Sequence, residues 1–324
     1  MNPVRNSMTA EHPTKRNISN GMNRRDFLKK CASVTGGFLL SNPAFRIDIG
    51  ATHPRIVLLI GWDGAQRNHV YECLGRGELP NLKKLGSEGT IVNIDIIDGK
   101  TDTKAGWAEI LTGYEPEVTG VYSNKIYEPI PVGLTIFERL EEHFGPNNIV
   151  TLAVIGKGAN VGGGPGLPYY YTKDNMDLFE NSVGPDDVVG PRAIELLEQY
   201  KDQQIFFFIH FRNVDSNGHK YGENSKEYND ALISNDFWTG KIIEKVKEFG
   251  RYEETLVYVT ADHGFNEGGT GHSNAPYIFL GTNDPKVIRK GERADITPTI
   301  LERYGLDLSK LEPPLDGRPL TKPL

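Results

Sequence analysis

Sulfur is scarce in this chain, whose 324 residues include two cysteines and four methionines. Cys31 and Cys73 are too few for a disulfide framework or a thiolate metal cage, which excludes a stapled mini-domain and a zinc ribbon. Cys73 reads as a small apolar packing residue. No apolar run approaches the roughly 20 residues that span a bilayer, so no transmembrane segment is expected. A cationic stripe is also missing. The net charge of −7 divides into +5 over residues 1–50 and −12 over residues 51–324. An acidic body without aligned Lys and Arg excludes wrapping of a nucleic-acid duplex, where cations must follow the phosphates. It suits a protein that holds metal cations in carboxylates. Nothing supports a repeat array, a coiled coil or a collagen-like rod. What remains is a globular protein, long enough for one large α/β domain or two small ones.

The basic excess lies in residues 1–50, which read as a leader. Residues 1–21 are polar and without hydrophobic periodicity; then, from Met22, the run Asn23-Arg24-Arg25-Asp26-Phe27-Leu28-Lys29-Lys30 resembles the twin-arginine export motif. The apolar stretch behind it, residues 32–40, is short and contains glycine, as a signal requires and an anchor does not. Met22 is the expected start, and the mature chain is expected to begin between residues 42 and 53. Such a signal implies a periplasmic or secreted protein, translocated folded by the twin-arginine machinery.

From residue 51 to 324 the pattern is that of a single α/β domain. Short β-branched or aromatic runs at residues 55–60, 91–97, 148–155, 204–211, 255–260 and 277–280 predict strands. Amphipathic stretches at 79–88, 105–111, 135–143, 188–200, 225–249 and 296–304 predict helices, the last closing at Gly305. Several strands are apolar at consecutive positions, so both faces are covered. The expected architecture is a three-layer α/β/α sandwich around a mostly parallel sheet. Residues 123–131 and 157–185 lack such patterning, and segments this long are usually functional. Gly162-Gly163-Gly164-Pro165-Gly166 is not a phosphate-binding P-loop, because no Lys-Ser/Thr follows; a lid or substrate wall, with Trp62 and Trp107, is the expectation.

Chemistry collects where the predicted strands end, which is where open α/β sheets bind ligands. The first strand runs into Asp63, the fourth into Asp215 and His219, and the fifth into Asp262 and His263, with His272 shortly after. Singly, each is an ordinary helix cap or a structural histidine. Together, three Asp and three His supply oxygen and nitrogen donors suited to zinc or a related divalent ion. Two such ions would clamp the attacking and leaving oxygens of a displacement at phosphorus or sulfur. Thr103 stands at the predicted start of a helix, where orphan N–H groups favour an anion. Its hydroxyl becomes a useful nucleophile once a metal lowers its pKa.

The ordered set resembles the alkaline phosphatase superfamily, and within it the nucleotide pyrophosphatase/phosphodiesterase branch. The resemblance runs from Gly61-Trp62-Asp63-Gly64 through Leu79-Pro80-Asn81-Leu82, Leu111-Thr112-Gly113 and Gly120-Val121-Tyr122-Ser123-Asn124 to Asp316-Gly317-Arg318-Pro319-Leu320. Its most specific part is Asp215-Ser216-Asn217-Gly218-His219-Lys220-Tyr221-Gly222. The resemblance implies an alkaline phosphatase-like fold and two divalent ions, zinc first. It gives Asp215, His219 and His272 to one ion, and Asp63, Asp262 and His263 to the other. It also implies that Thr103 is the nucleophile and a ligand of the second ion, forming a covalent phosphothreonine. Lys104 and Asn124 are the candidate substrate contacts.

Two departures shape the expectation. Thr103-Lys104-Ala105-Gly106-Trp107 has nothing of the Cys/Ser-x-Pro-x-Arg motif of formylglycine sulfatases. Lys104, Ala105 and Gly106 stand where the phosphodiesterase branch usually shows Phe, Pro and Asn; Asp102-Thr103 with small residues after it is similar to the Asp-Ser-Ala of alkaline phosphatases proper. The leading reading is an exported dizinc phosphodiesterase or phosphatase acting on small-molecule or lipid phosphate esters. The alternatives are a hydrolase or transferase of the same superfamily for sulfate esters, phosphonates or phosphoglycolipid head groups, and a catalytically silent metal-dependent binding protein.

Overall fold

The computed structural model describes residues 53–97, 100–161 and 176–323; the expected leader, and residues 162–175 of the expected lid, lie outside the described residues. The strands are β1 (Ile56–Trp62), β2 (Thr90–Asp95), β3 (Val150–Ile155), β4 (Leu178–Glu180), β5 (Ile205–Phe211), β6 (Thr255–Thr260), β7 (Tyr277–Thr282) and β8 (Gly291–Glu292). They form one sheet in the order β4-β3-β5-β1-β6-β7-β2-β8. The pairings are parallel except at β7, which runs antiparallel to both β6 and β2. The mostly parallel sheet expected from the sequence is therefore present. Every residue of β1, β3 and β5 is buried, as their unbroken apolar runs require.

The helices are α1 (Arg67–Arg76), α2 (Pro80–Glu88), α3 (Thr103–Thr112), α4 (Pro116–Thr119), α5 (Ile136–Phe144), α6 (Gly158–Val161), α7 (Asp186–Tyr200), α8 (Asn213–Tyr221), α9 (Lys226–Glu248) and α10 (Ile296–Arg303). Their starts follow local chemistry. Gln66 accepts from His69 N to cap α1, Thr135 and Glu138 form a reciprocal capping box on α5, and Ser225 caps α9. Asp236 of α9 accepts from the backbone amides of Asn81 and Leu82, capping α2 from outside the helix.

Neighbouring residues of β1 show that both faces of the sheet are covered. Trp62 is buried and donates its indole N–H to Thr239 Oγ1 of α9 at 3.2 Å. On the opposite face, a Cβ at Gly61 would meet the Trp107 ring of α3 at 2.3 Å, so glycine is needed for that ring to lie on the strand. Trp107 also packs on Phe208, with ring centroids 5.1 Å apart. These two tryptophans, expected in the substrate wall, are fully buried core residues, and that expectation is corrected. Their large apolar rings are the wedges between sheet and helix layers.

A buried polar network ties α1 to the loop after β6. His69 Nδ1 lies 2.8 Å from Glu223 Oε1, while Glu223 Oε2 accepts from Gly268 N at 3.0 Å and Glu223 N donates to Gly269 O. Burial opposes a charge on His69, but hydrogen bonds with Cys73 and Glu223 and the Glu223 charge outweigh it and raise the pKa from 6.5 to about 10. Cys73, read as simple packing, thus also faces polar neighbours, including Asn229 Oδ1 at 3.1 Å. A histidine raised in the folded state stabilises fully below its unfolded pKa of 6.5 and loses that contribution as pH rises to about 10. His69→Gln should therefore cost about 1–3 kcal/mol at pH 7 and flatten the decline in Tm between pH 7 and 10. Thermal melts of both proteins across that range check this, and parallel slopes would refute the assignment.

Candidate active site

The sequence-predicted Asp and His residues meet at the carboxyl ends of β1, β5 and β6. Backbone bonds lock the β1 and β5 connections together: Asp63 N donates to Phe211 O, and Asp215 N donates to Asp63 O, both at 3.0 Å. Asp215 and His219 lie one turn apart on α8, a helix the sequence pattern did not announce, which puts both on one face. Two glycines permit the closeness. Gly64 has φ +77° and a Cβ there would meet Asp215 Cα at 3.0 Å; at Gly218 it would meet the Phe265 ring at 2.6 Å. That ring in turn braces His219 and His272 edge-on, with centroids 5.2 and 5.5 Å away.

Two candidate metal-binding groups result. In the first, Asp215, His219 and His272 present ligand atoms within 4.8 Å of one another; in the second, Asp63, Asp215 and His263 do so. Asp215 belongs to both groups. Asp262 stands beside the second, with Oδ2 3.4 Å from His263 Nε2 and Oδ1 accepting from Gly64 N. Thr103, buried as the first residue of α3, has Oγ1 3.3 Å from the same His263 nitrogen. All seven expected residues are thus in one neighbourhood. His219 Nδ1 lies 2.9 Å from Thr270 O, an arrangement that leaves Nε2 toward Asp215 and His272.

The donor set fits divalent ions on electrostatic grounds. Asp63 Oδ1, Asp215 Oδ1 and Asp262 Oδ2 are buried without a hydrogen-bond donor among the described residues. Burial, then the charges of Asp63 and Asp215, push the Asp262 carboxyl well above its ordinary range. Burial, with His272 alongside, lowers His263 to about 3, so its imidazole is neutral and able to ligate. Burial opposes ionisation of Asp215 too, but His219 and Lys157 hold it below the usual carboxylate range. Three acceptor-rich carboxylates and the neutral His263 imidazole are a donor set that dications satisfy and protons satisfy poorly.

The rim supplies positive charge. Asn124 Oδ1 accepts from Lys104 N at 2.9 Å, fastening residues 123–131 to the first turn of α3. Lys104 is buried with its ammonium 4.8 Å from the Tyr127 ring centre, and burial followed by repulsion from Lys157 lowers its pKa. Sequence reasoning missed two residues here. Lys157, following β3, pairs with Asp215 and lies 3.8 Å from Asp63. The strand-end argument applied to β3 would have found it. His210, a polar residue inside the apolar run of β5, has Nε2 2.9 Å from Asp63 Oδ2. Arg212 is the N-cap residue of α8, and Lys220 is exposed.

With this geometry in hand, comparisons place the chain. It is 24% identical over 235 residues to human bis(5′-adenosyl)-triphosphatase ENPP4, an alignment covering 69% of this chain and 50% of that protein. It is 26% identical over 231 residues to GPI ethanolamine phosphate transferase 1 of Candida glabrata, covering 65% of this chain and 24% of the transferase. The chain therefore spans half or less of the length of these relatives. The crystal structure of an alkaline phosphatase superfamily protein from Vibrio parahaemolyticus superposes with a TM-score of 0.59 at 21% identity, over 84% of this chain and 71% of that one. The expected alkaline phosphatase-like fold is thereby met. The model of one family, type I phosphodiesterase / nucleotide pyrophosphatase, matches residues 57–299, and the chain belongs to that family.

Proposed function

We propose that the protein is an exported phosphoric ester hydrolase that uses Thr103 as nucleophile, with two divalent ions, zinc first, at the Asp/His clusters. The observation that carries the reading is the placement of Thr103 Oγ1 within 3.3 Å of His263, at the start of α3 and beside three buried carboxylates. Asp215, His219 and His272 would hold one ion and Asp63, Asp262 and His263 the other, with Asp215 facing both. The ions supply what the side chains lack, lowering the pKa of a hydroxyl and of water and offsetting charge on oxygen.

Thr103 Oγ forms a bond to phosphorus while the bond to the leaving oxygen breaks on the opposite side, giving phosphothreonine and an alcohol. Water then breaks the phosphothreonine bond and restores the hydroxyl. The first-turn amides of α3 and the ammonium groups of Lys104 and Lys157 favour the phosphoryl anion. Asn124, by fixing the Lys104 amide, keeps that turn in register. A transferase of the same family is the second reading, supported by the likeness to the phosphate transferase. There an acceptor alcohol replaces water in the second step. The export reading is supported by the Arg24-Arg25 signal and by the ectoenzyme names among the relatives.

Two experiments test this. The protein should hydrolyse bis(4-nitrophenyl) phosphate or 4-nitrophenyl phosphate, lose activity on chelation and regain it with zinc, and Thr103→Ala should reduce kcat by at least about 10³-fold. Full activity in that variant would sink the mechanism, and turnover of aryl sulfates in preference to either phosphate would sink the substrate class. For export, Arg24→Lys with Arg25→Lys should leave the protein in the cytoplasm; unchanged yield outside it would refute the twin-arginine route.

A further inference from the structure

Arg293 lies at the start of the turn Arg293–Asp295 that leads into α10, and its side chain is fully buried. Nε donates to Glu109 Oε2 at 2.7 Å and Nη2 to Glu109 Oε1 at 2.6 Å, a two-pronged pairing with a carboxylate on α3. Nη1 donates to two backbone oxygens, Lys100 O at 2.9 Å and Asp262 O at 3.0 Å. One guanidinium thereby touches the segment entering α3, the helix that begins with Thr103, and the backbone of Asp262. The pieces are packed without slack. A Cβ at Gly106 would come within 2.7 Å of Asp262 O and 3.0 Å of Arg293 Nη1.

Stability alone does not account for such a residue, since a buried ion pair is often no more stable than apolar side chains of the same volume. Its particular property is a rigid planar fork that fixes distances among its partners, which a lysine cannot reproduce. Here those partners are the nucleophile's helix and the backbone of a proposed metal ligand. We propose that Arg293, held by Glu109, is a positioning residue that sets the Thr103 hydroxyl against Asp262. This rests on Thr103 being the nucleophile.

The test compares Arg293→Lys and the volume-conserving pair Arg293→Met with Glu109→Leu against the full-length protein. Four quantities are measured: Tm, kcat and KM for bis(4-nitrophenyl) phosphate, and zinc affinity of the metal-stripped protein by competition with a chromogenic chelator. A displacement of about 1 Å costs on the order of 10²-fold. The expected result is a folded protein with kcat down about 10²-fold, KM within about threefold, and one of two zinc ions bound about 10- to 100-fold more weakly. A folded double variant with kcat and zinc affinity within twofold of the parent overturns the proposal. So does loss of both zinc ions together with a collapsed Tm in Arg293→Lys, which marks a general structural role. Should the double variant fail to fold, Arg293→Lys decides by the same criteria. If Thr103→Ala retains turnover, the nucleophile reading falls on its own, and the zinc affinities still decide whether Arg293 sets Asp262.

Discussion

The structure is organised around a repulsion. Asp63, Asp215 and Asp262 are carried by three adjacent strand ends into one buried pocket, where like charges in low dielectric disfavour one another. A soft scaffold would let them separate. Here the backbone bonds from Asp63 to Phe211 and from Asp215 to Asp63 forbid it, and the two β1 neighbours β5 and β6 hold the same register over their full shared length. Lys157 supplies local compensation, with its ammonium drawn to Asp215 and Asp63. The fold thus maintains an arrangement that its own electrostatics oppose, and this is the condition under which a divalent ion binds usefully.

The surrounding histidines divide into those aimed at the pocket and those that steady it. His263 and His272 stack with ring centroids 3.9 Å apart, and His219 is directed by Thr270. His210 steadies Asp63 from within β5, and His69, paired with Glu223, holds the turn at Gly268 that precedes His272. Metal ligands are commonly oriented by a second layer of hydrogen bonds. Here the supporting residues come from helix α1, strand β5 and the loops that hold Glu223 and Thr270, so the candidate site draws on residues far outside its motifs.

Elements and positions that composition and order encode are legible in the sequence. The strands β1, β3, β5 and β6 announced themselves as apolar runs, and Asp63, Asp215, Asp262 and His263 followed because strand ends are where such sheets bind ligands. The short edge strands β4 and β8, of three and two residues, carry too few side chains for any pattern. Helix α8 was invisible because Asn213-Val214-Asp215-Ser216-Asn217-Gly218-His219 is poor in helix formers. It is helical because Asp186 accepts from the amides of Arg212 and Asn213 at its start, a contact 26 residues away at its nearer end. The burial of Trp62 and Trp107 is hidden because an aromatic beside a candidate site residue looks the same in sequence whether it faces substrate or core. Arg293 could not be singled out at all, since its partners are a glutamate and two carbonyl oxygens from distant segments.

The departure at residues 104–106 bears on how α3 packs beside the candidate site. A substitution that its surroundings do not accommodate leaves a cavity or a strained contact. The helix here shows the reverse. All ten residues of α3 are buried, Lys104 is held against Tyr127, and Gly106 lets the helix backbone touch Asp262 and Arg293 at distances no other residue permits. Replacing Gly106 by the bulkier asparagine of the phosphodiesterase pattern would force Asp262 and the guanidinium apart. Lys104 and Gly106 are therefore each fitted to the groups around them. The departure from the phosphodiesterase pattern is thus built into the packing of α3 against Tyr127, Asp262 and Arg293.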